Sequence, residues 1–304
     1  MEKSMNFEKE QKDRLNYIEQ VLREYLPEET GHQKKVIEAM NYSVLSGGKR
    51  IRPMLMLETF CLFQKKLNPT IEPFMAAIEM IHTYSLVHDD LPAMDNDEYR
   101  RGRKTTHVVY GEAMGILAGD GLLNYAYETA CKGMDTAKDP VLIAKAFQVL
   151  TKESGIYGMI GGQVVDVLSE GCLVDREKLD FIYRLKTGAL IEAAMMIGGI
   201  LGGGNHDELI LIRKIALDIG LAFQIQDDIL DVTSSLEVLG KPVGSDEKNK
   251  KTTYVTIEGL EKSKEDVKVI SERARDNLTK LKIDYHRENR FLEELITRLI
   301  SRQS

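Results

Sequence analysis

Two long apolar stretches of this chain, each with the spacing of a buried helix, end in clustered aspartates. The clusters are Asp89-Asp90-Leu91-Pro92-Ala93-Met94-Asp95 and Asp227-Asp228-Ile229-Leu230-Asp231. Met75 to Val87 and Ile210 to Ile229 are apolar on more than one face, which places such helices inside a bundle rather than on its surface. Alternating strand patterns are almost absent, and glycine and proline fall between the periodic segments. The spacing predicts helices over roughly 6–26, 32–46, 53–66, 71–90, 112–134, 140–154, 156–169, 176–202, 206–232, 251–258, 262–281 and 288–302. Nothing in composition marks a boundary, so residues 1–304 are expected to form a single all-α domain.

Acid at the end of an apolar helix is unfavourable twice over. Like charges about 4 Å apart repel by ~4 kcal/mol at an effective dielectric of ~20, and carboxylates oppose the helix dipole at its C-terminus. A solvated helix end would account for either cluster alone, but two of them call for neutralising cations. Hard divalent ions suit carboxylate oxygens, and magnesium in particular takes a few carboxylates together with substrate phosphates. Asp227 and Asp231 are one helical turn apart on one face, with Phe223 and Gln224 a turn earlier. Asp89 and Asp95 would lie ~240° apart on a continuous helix. Pro92 disfavours helical geometry at Leu91 and has no N–H, so the chain should leave the helix near Asp90 and fold Asp95 back beside Asp89.

Basic residues supply the counterpart. Ser46-Gly47-Gly48-Lys49-Arg50-Ile51-Arg52-Pro53 is a glycine turn followed by three cations, and Arg100-Arg101-Gly102-Arg103-Lys104 follows the first acidic cluster. Glycines let backbone N–H groups approach an oxyanion, and lysine and arginine give charge-assisted contacts to phosphate. Lys186-Thr187-Gly188 interrupts an apolar helix, where a lysine needs a partner. Lys241 and Lys251 bracket the polar stretch after the second cluster, Thr233 to Lys251, which reads as an ordered loop or lid. Gly158, Gly161, Gly162, Gln163 and Asp166 put small residues and polar groups on a helix that can pack closely around a cavity.

Other classes fit less well. The net charge of −7 argues against a general nucleic-acid binder. The three cysteines, Cys61, Cys131 and Cys172, have neither metal-ligand spacing nor a disulfide pattern, which suggests reduced thiols in a cytoplasmic protein. The N-terminus lacks the apolar core of a signal peptide, and Ala193 to Asn205 is too short and glycine-rich to span a bilayer. Serine-nucleophile elbows and zinc-protease motifs are missing.

The motifs GGKRIRP, DDLPAMD followed by RRG, GMIGGQVVD, KTGAL and QIQDDILD stand in this order between about residues 40 and 255. Together they resemble the short-chain trans-isoprenyl diphosphate synthases, and most of all the bacterial farnesyl diphosphate branch, whose first aspartate motif carries the same Pro-Ala expansion. The resemblance implies an isoprenoid-synthase-type helical bundle around a deep central cavity, usually a homodimer. It implies three magnesium ions held by Asp89, Asp95 and Asp227. Arg100, Lys186, Thr187, Gln224 and Lys241 match positions that contact the allylic diphosphate. Gly48, Lys49, Arg52, His82 and Arg101 match the isopentenyl diphosphate pocket. The implied reaction joins isopentenyl diphosphate to dimethylallyl and geranyl diphosphates and releases diphosphate. A geranylgeranyl-producing synthase is the alternative; a class I terpene cyclase or a non-catalytic partner subunit fits less well, since both acidic clusters and the basic elements are intact.

Product length needs a wall below the first aspartate cluster. Ideal helix geometry puts Ser85 and Leu86 most nearly under Asp89, with Tyr84 ~7.5 Å down the axis and rotated by ~140°. Size and the family likeness, rather than that geometry, single out Tyr84, with Ser85 beside it: a bulky aromatic at this position resembles the floor of fifteen-carbon synthases.

Overall fold

Proline and glycine set the element boundaries of the computed structural model, which describes residues 6–66, 69–233 and 252–300. Asn6 caps α1 (Phe7–Tyr25) by accepting from the Lys9 N–H at 3.2 Å. Next come α2 (Lys34–Val44) and α3 (Ile51–Cys61). Pro53 lies inside the first turn of α3, where its missing N–H costs nothing, so α3 starts two residues earlier than periodicity alone suggests. A single 3₁₀ turn over Pro69–Ile71 leads into α4 (Glu72–Asp89), which has proline in its first turn. The stretch before α6 lies outside the predicted helices. It holds a small antiparallel hairpin, β1 (Tyr99–Arg100) with β2 (Arg103–Lys104), and the short helix α5 (Thr106–Tyr110). Arg101 and Gly102 both have positive φ, 53° and 74°, as a two-residue hairpin turn requires.

The chain continues through α6 (Glu112–Cys131), α7 (Gly133–Thr136), α8 (Pro140–Ser154) and α9 (Met159–Leu168). The predicted helix over 176–202 is one helical run, but not one helix type. It consists of α10 (Arg176–Ile182), a π turn over Tyr183–Gly188 and α11 (Ala189–Gly202). After α12 (His206–Thr233), the described chain resumes with α13 (Tyr254–Glu258), α14 (Leu260–Tyr285) and α15 (Arg290–Ile300). The architecture is all-α, as the sequence leads one to expect.

Contacts gather the residues into two compact units, with boundaries inside α3 and α8. Unit 1 comprises residues up to Leu57 and Lys66–Phe147. Its core is α4, packed against α1, α2 and α6, with Phe74 to Ile81 buried without a break. That continuous burial is why α4 shows no polar face. Arg50 ties three elements together. Its fully buried guanidinium donates from Nε to Glu19 of α1, from Nη1 to Glu79 of α4 and from Nη2 to the Val44 carbonyl of α2, each at 2.7 Å.

Unit 2 comprises Glu58–Lys65 and the chain from Gln148 onward. Here α12 is central, packed on α11, α14, α15 and the π turn. Arg176–Gly202 is long and apolar enough to cross a membrane by length and composition alone, but 83% of its most apolar window is buried, as in a core helix.

Candidate functional site

The first acidic cluster forms as Pro92 dictates. Helix α4 stops at Asp89, and the Asp95 N–H donates to the Asp89 carbonyl at 2.8 Å, bringing the two residues together across the bulge. Asn96 adopts φ 53° where the bulge closes, a conformation costly for a side chain and concentrated at functional segments. Asp89 is half-buried and Asp95 exposed. Asp90 is withdrawn: it is buried, and its Oδ1 accepts from Arg100 Nε at 2.7 Å and Nη2 at 2.6 Å. Burial pushes the Asp90 carboxyl up, against the lowering effect of Arg100.

The basic turn lies in the same unit. Arg101, in the hairpin turn, donates from Nη1 to the Gly47 carbonyl. A Cβ on Gly48 would stand 2.6 Å from that Nη1 and push the guanidinium aside, and the φ of 145° at Gly48 is itself one that favours glycine. Arg52 Nε is sealed from water and has no hydrogen-bond partner. Burial pulls the Arg52 guanidinium down to about 10, with Glu79 opposing and Arg101 adding to the fall. His82 is half-buried by surface area, yet its ring is desolvated; that, followed by the charges of Arg52, Arg101, Arg100 and Arg50, holds it neutral well below the usual histidine range. Gly48, Arg52, His82 and Arg101 therefore converge. Lys49 is exposed beside them. Clustered cations, one carrying a buried donor with no acceptor, have the chemistry to receive an anion.

Tyr84 is buried at 6% exposure, its hydroxyl has no partner, and its ring meets His88 edge-on at 5.8 Å. Ser85 turns its hydroxyl back onto the His82 carbonyl at 2.8 Å.

In unit 2, Lys186, Thr187, Gln224 and Asp227 meet around one cavity of about 210 Å³, together with Asp166 and Asp228. The partner that Lys186 requires is Asp166, 2.6 Å from its Nζ. Asp231, expected to share the cavity mouth with Asp227, is buried at 3% exposure. Asp228 is buried too, and accepts at Oδ2 from the Tyr183 hydroxyl and from the Tyr254 N–H. Lys241 and Lys251 lie outside the described residues. Sequence reasoning missed the roles of Asp90, Arg50, Tyr183 and Tyr254. Local spacing carried no signal for these roles, and the cations beside Arg50 pointed instead to phosphate.

Among the described residues, no group of three or more histidine, cysteine, aspartate or glutamate side chains forms a ready metal cage. Magnesium needs none. It binds one or two carboxylates and completes its octahedron with water and phosphate oxygen. The hard oxygens of Asp89 and Asp95 in unit 1, and of Asp227 in unit 2, fit that partial coordination.

An all-α fold carrying such sites belongs to the isoprenoid-synthase class. The chain is a member of the polyprenyl synthetase family, whose model matches residues 33–285, and it is a prenyltransferase. It is 42% identical over 268 residues to the farnesyl diphosphate synthase of Geobacillus stearothermophilus, covering 88% of this chain and 89% of that protein. It is 48% identical over 248 residues to the chloroplastic heterodimeric geranylgeranyl pyrophosphate synthase large subunit 1 of Arabidopsis thaliana, covering 80% and 67%. Among solved structures, the Helicobacter pylori geranyltransferase complexed with magnesium and isoprenyl diphosphate superposes with a TM-score of 0.83 at 30% identity, covering 99% of this chain and 98% of that one. An FPP/GFPP synthase from Zymomonas mobilis gives 0.84 at 32% identity, covering 97% and 99%.

Proposed function

We propose that the protein is a magnesium-dependent farnesyl diphosphate synthase, active as a cytoplasmic homodimer. It would extend dimethylallyl diphosphate, then geranyl diphosphate, by one isopentenyl unit each. The observation that carries this reading is the unit 2 cavity, where Lys186, Thr187, Gln224 and Asp227 meet. Lys186, Thr187 and Gln224 are three of the five positions that the sequence likeness gives to the allylic diphosphate, and Asp227 is one of its magnesium positions. The fourth, Arg100, stands in unit 1 against Asp90, and the fifth, Lys241, lies outside the described residues.

Three magnesium ions would draw on Asp89, Asp95 and Asp227, and when bound they offset the negative charge that grows on the departing diphosphate. Lys186 and Thr187 donate to the same diphosphate, stabilising it most as the allylic C–O bond breaks. Arg52 and Arg101 hold the isopentenyl diphosphate, and the orphan Nε of Arg52 gains its acceptor there. Neutral His82 can donate without adding a competing charge. The isopentenyl double bond forms the new C–C bond, and the proton lost from the adjacent carbon goes to the released diphosphate. No protein nucleophile is needed.

Chain length supports the farnesyl reading through Tyr84. Each added isoprene unit is worth roughly 4 kcal/mol of burial at ~0.8 kcal/mol per carbon group, so an open cavity would keep extending its product. A buried aromatic on α4, below Asp89, supplies a floor. The second reading, a geranylgeranyl diphosphate synthase, is favoured by the 48% identity to a relative of that name. The test is the mass of the dephosphorylated product formed by the purified chain from isopentenyl and dimethylallyl diphosphates. Fifteen carbons from the wild type, and twenty or more from Tyr84→Ala, are expected. A twenty-carbon wild-type product would establish the second reading. An unchanged length in active Tyr84→Ala would place the floor elsewhere, and no diphosphate release by the chain alone would point to a partner subunit.

A further inference from the structure

We propose that Asp228, although it stands inside the acidic run, acts as a positioning residue: through Tyr183 it fixes the π turn that aims Lys186 and Thr187. The inference rests on the allylic role proposed above for those two residues.

By sequence, Asp227 and Asp228 are equivalent. The structure separates them. Asp228 is 6% exposed, and its Oδ2 accepts two hydrogen bonds, one from the Tyr183 phenol and one from the Tyr254 N–H at 2.7 Å. An oxygen already carrying two buried donors is poorly placed to give up a lone pair to a cation. Tyr183 is the first residue of the π turn, and Tyr254 is the first residue of α13. Tyr254 is itself fixed: its ring lies 4.0 Å under the Arg176 guanidinium, and its hydroxyl donates to Asp266 at 2.8 Å. Asp228 thus joins α12, α13 and the start of the π turn at one buried point.

A π turn persists in an α-helical run only where its surroundings over-determine it, and such turns recur at functional sites. Here the surroundings do so. Gly162 of α9 presses on the turn so closely that a Cβ would stand 2.2 Å from the Lys186 nitrogen. Gly220 of α12 would bring a Cβ within 2.9 Å of the Gly188 Cα. Asp166 holds the Lys186 ammonium at 2.6 Å. In a regular α-helix two consecutive residues point about 100° apart. In this turn Lys186 and Thr187 both line the same cavity. Of the four restraints, the Tyr183–Asp228 hydrogen bond is the one that a single atom can remove.

Tyr183→Phe removes that atom and keeps the ring. Steady-state kinetics with each substrate varied, magnesium titration at saturating substrates and thermal melting would be measured for Tyr183→Phe, Asp228→Asn, Asp227→Asn and Lys186→Ala. Tyr183→Phe is expected to raise the allylic KM or lower kcat by about ten-fold, the scale of one lost hydrogen bond to a charged group, and Asp228→Asn, whose amide oxygen still accepts from both donors, by less. The isopentenyl KM and the magnesium half-saturation point should stay near wild type, whereas Asp227→Asn should move the magnesium dependence. The inference is overturned if Asp228→Asn shifts the magnesium dependence as far as Asp227→Asn does. It also falls if Tyr183→Phe leaves allylic kinetics unchanged while Lys186→Ala impairs them, or if both KM values move together with the melting point, as a merely structural role would require. Normal allylic kinetics in Lys186→Ala would refute the underlying site assignment, and this inference with it.

Discussion

Adding one methyl group to Gly162 should disable the unit 2 site without unfolding the protein. In Gly162→Ala the new Cβ would lie 2.2 Å from the Lys186 nitrogen and 2.8 Å from both the Leu185 carbonyl carbon and the Lys186 Cα. These are backbone atoms, so no side chain can swing away. Real Cβ contacts rarely fall below 3.0 Å, which means the π turn must retreat by about 0.8 Å or α9 must move by as much. Overpacking of this kind costs about 1–3 kcal/mol, a loss that a domain of ordinary stability survives. The functional cost is larger, because a misplacement near 1 Å at a positioning group can lower turnover by about 100-fold. The assay is diphosphate release at saturating substrates, alongside a thermal melt and the two KM values. We expect kcat to fall by about two orders of magnitude and the melting point to drop modestly. The isopentenyl KM, set in unit 1, should hold. Wild-type turnover and allylic KM in a folded Gly162→Ala protein would refute the claim that close packing of α9 sets the aim of Lys186.

Three further predictions concern unit 1. Arg101→Ala should raise the isopentenyl KM by about ten-fold or more and leave the allylic one near wild type; a rise in the allylic value alone would show that the pockets have been exchanged. Glu79→Ala leaves Nη1 of the fully buried Arg50 without its acceptor, with Glu19 and the Val44 carbonyl still in place, and should cost about 1–3 kcal/mol by denaturant unfolding, whereas removing the more exposed Glu19 should cost distinctly less; equal losses would contradict the burial argument. His82 has its folded-state pKa depressed below the ordinary 6.5 by burial and then by neighbouring arginines. Between the two values the unfolded chain holds more protons, so stability should fall as pH drops below about 6.5. His82→Gln should flatten that part of the profile, and parallel wild-type and variant curves from pH 5 to 8 would count against it.

Local chemistry fixed much of this molecule in advance. The apolar spacing of α4 and α12 requires buried helices, and Pro92 forces the chain out of α4 where it does leave. The three-residue interval from Gln224 to Asp227 puts both on one face of α12, where they line the cavity. These features depend on neighbours a few positions apart, so any reading of the chain that respects φ, ψ and helical pitch recovers them. Three of the carboxylates could not be assigned that way. Asp89 and Asp90, or Asp227 and Asp228, are indistinguishable by spacing, yet Arg100 claims Asp90, and Tyr183, 45 positions away, claims Asp228. Asp231 shares the favourable face of α12 with Asp227 but is buried. The π turn was equally illegible, because its stability comes from Gly162, Gly220 and Asp228 on other elements rather than from its own residues. Arg50 reads as one more phosphate cation until Glu19 and Glu79, 31 and 29 positions distant, take its guanidinium. The sequence by itself decided which segments are helical and where acid and base gather. Only the tertiary structure decided which of several chemically identical groups are used up in holding the fold, because burial and hydrogen bonding are settled by partners that local spacing does not reveal.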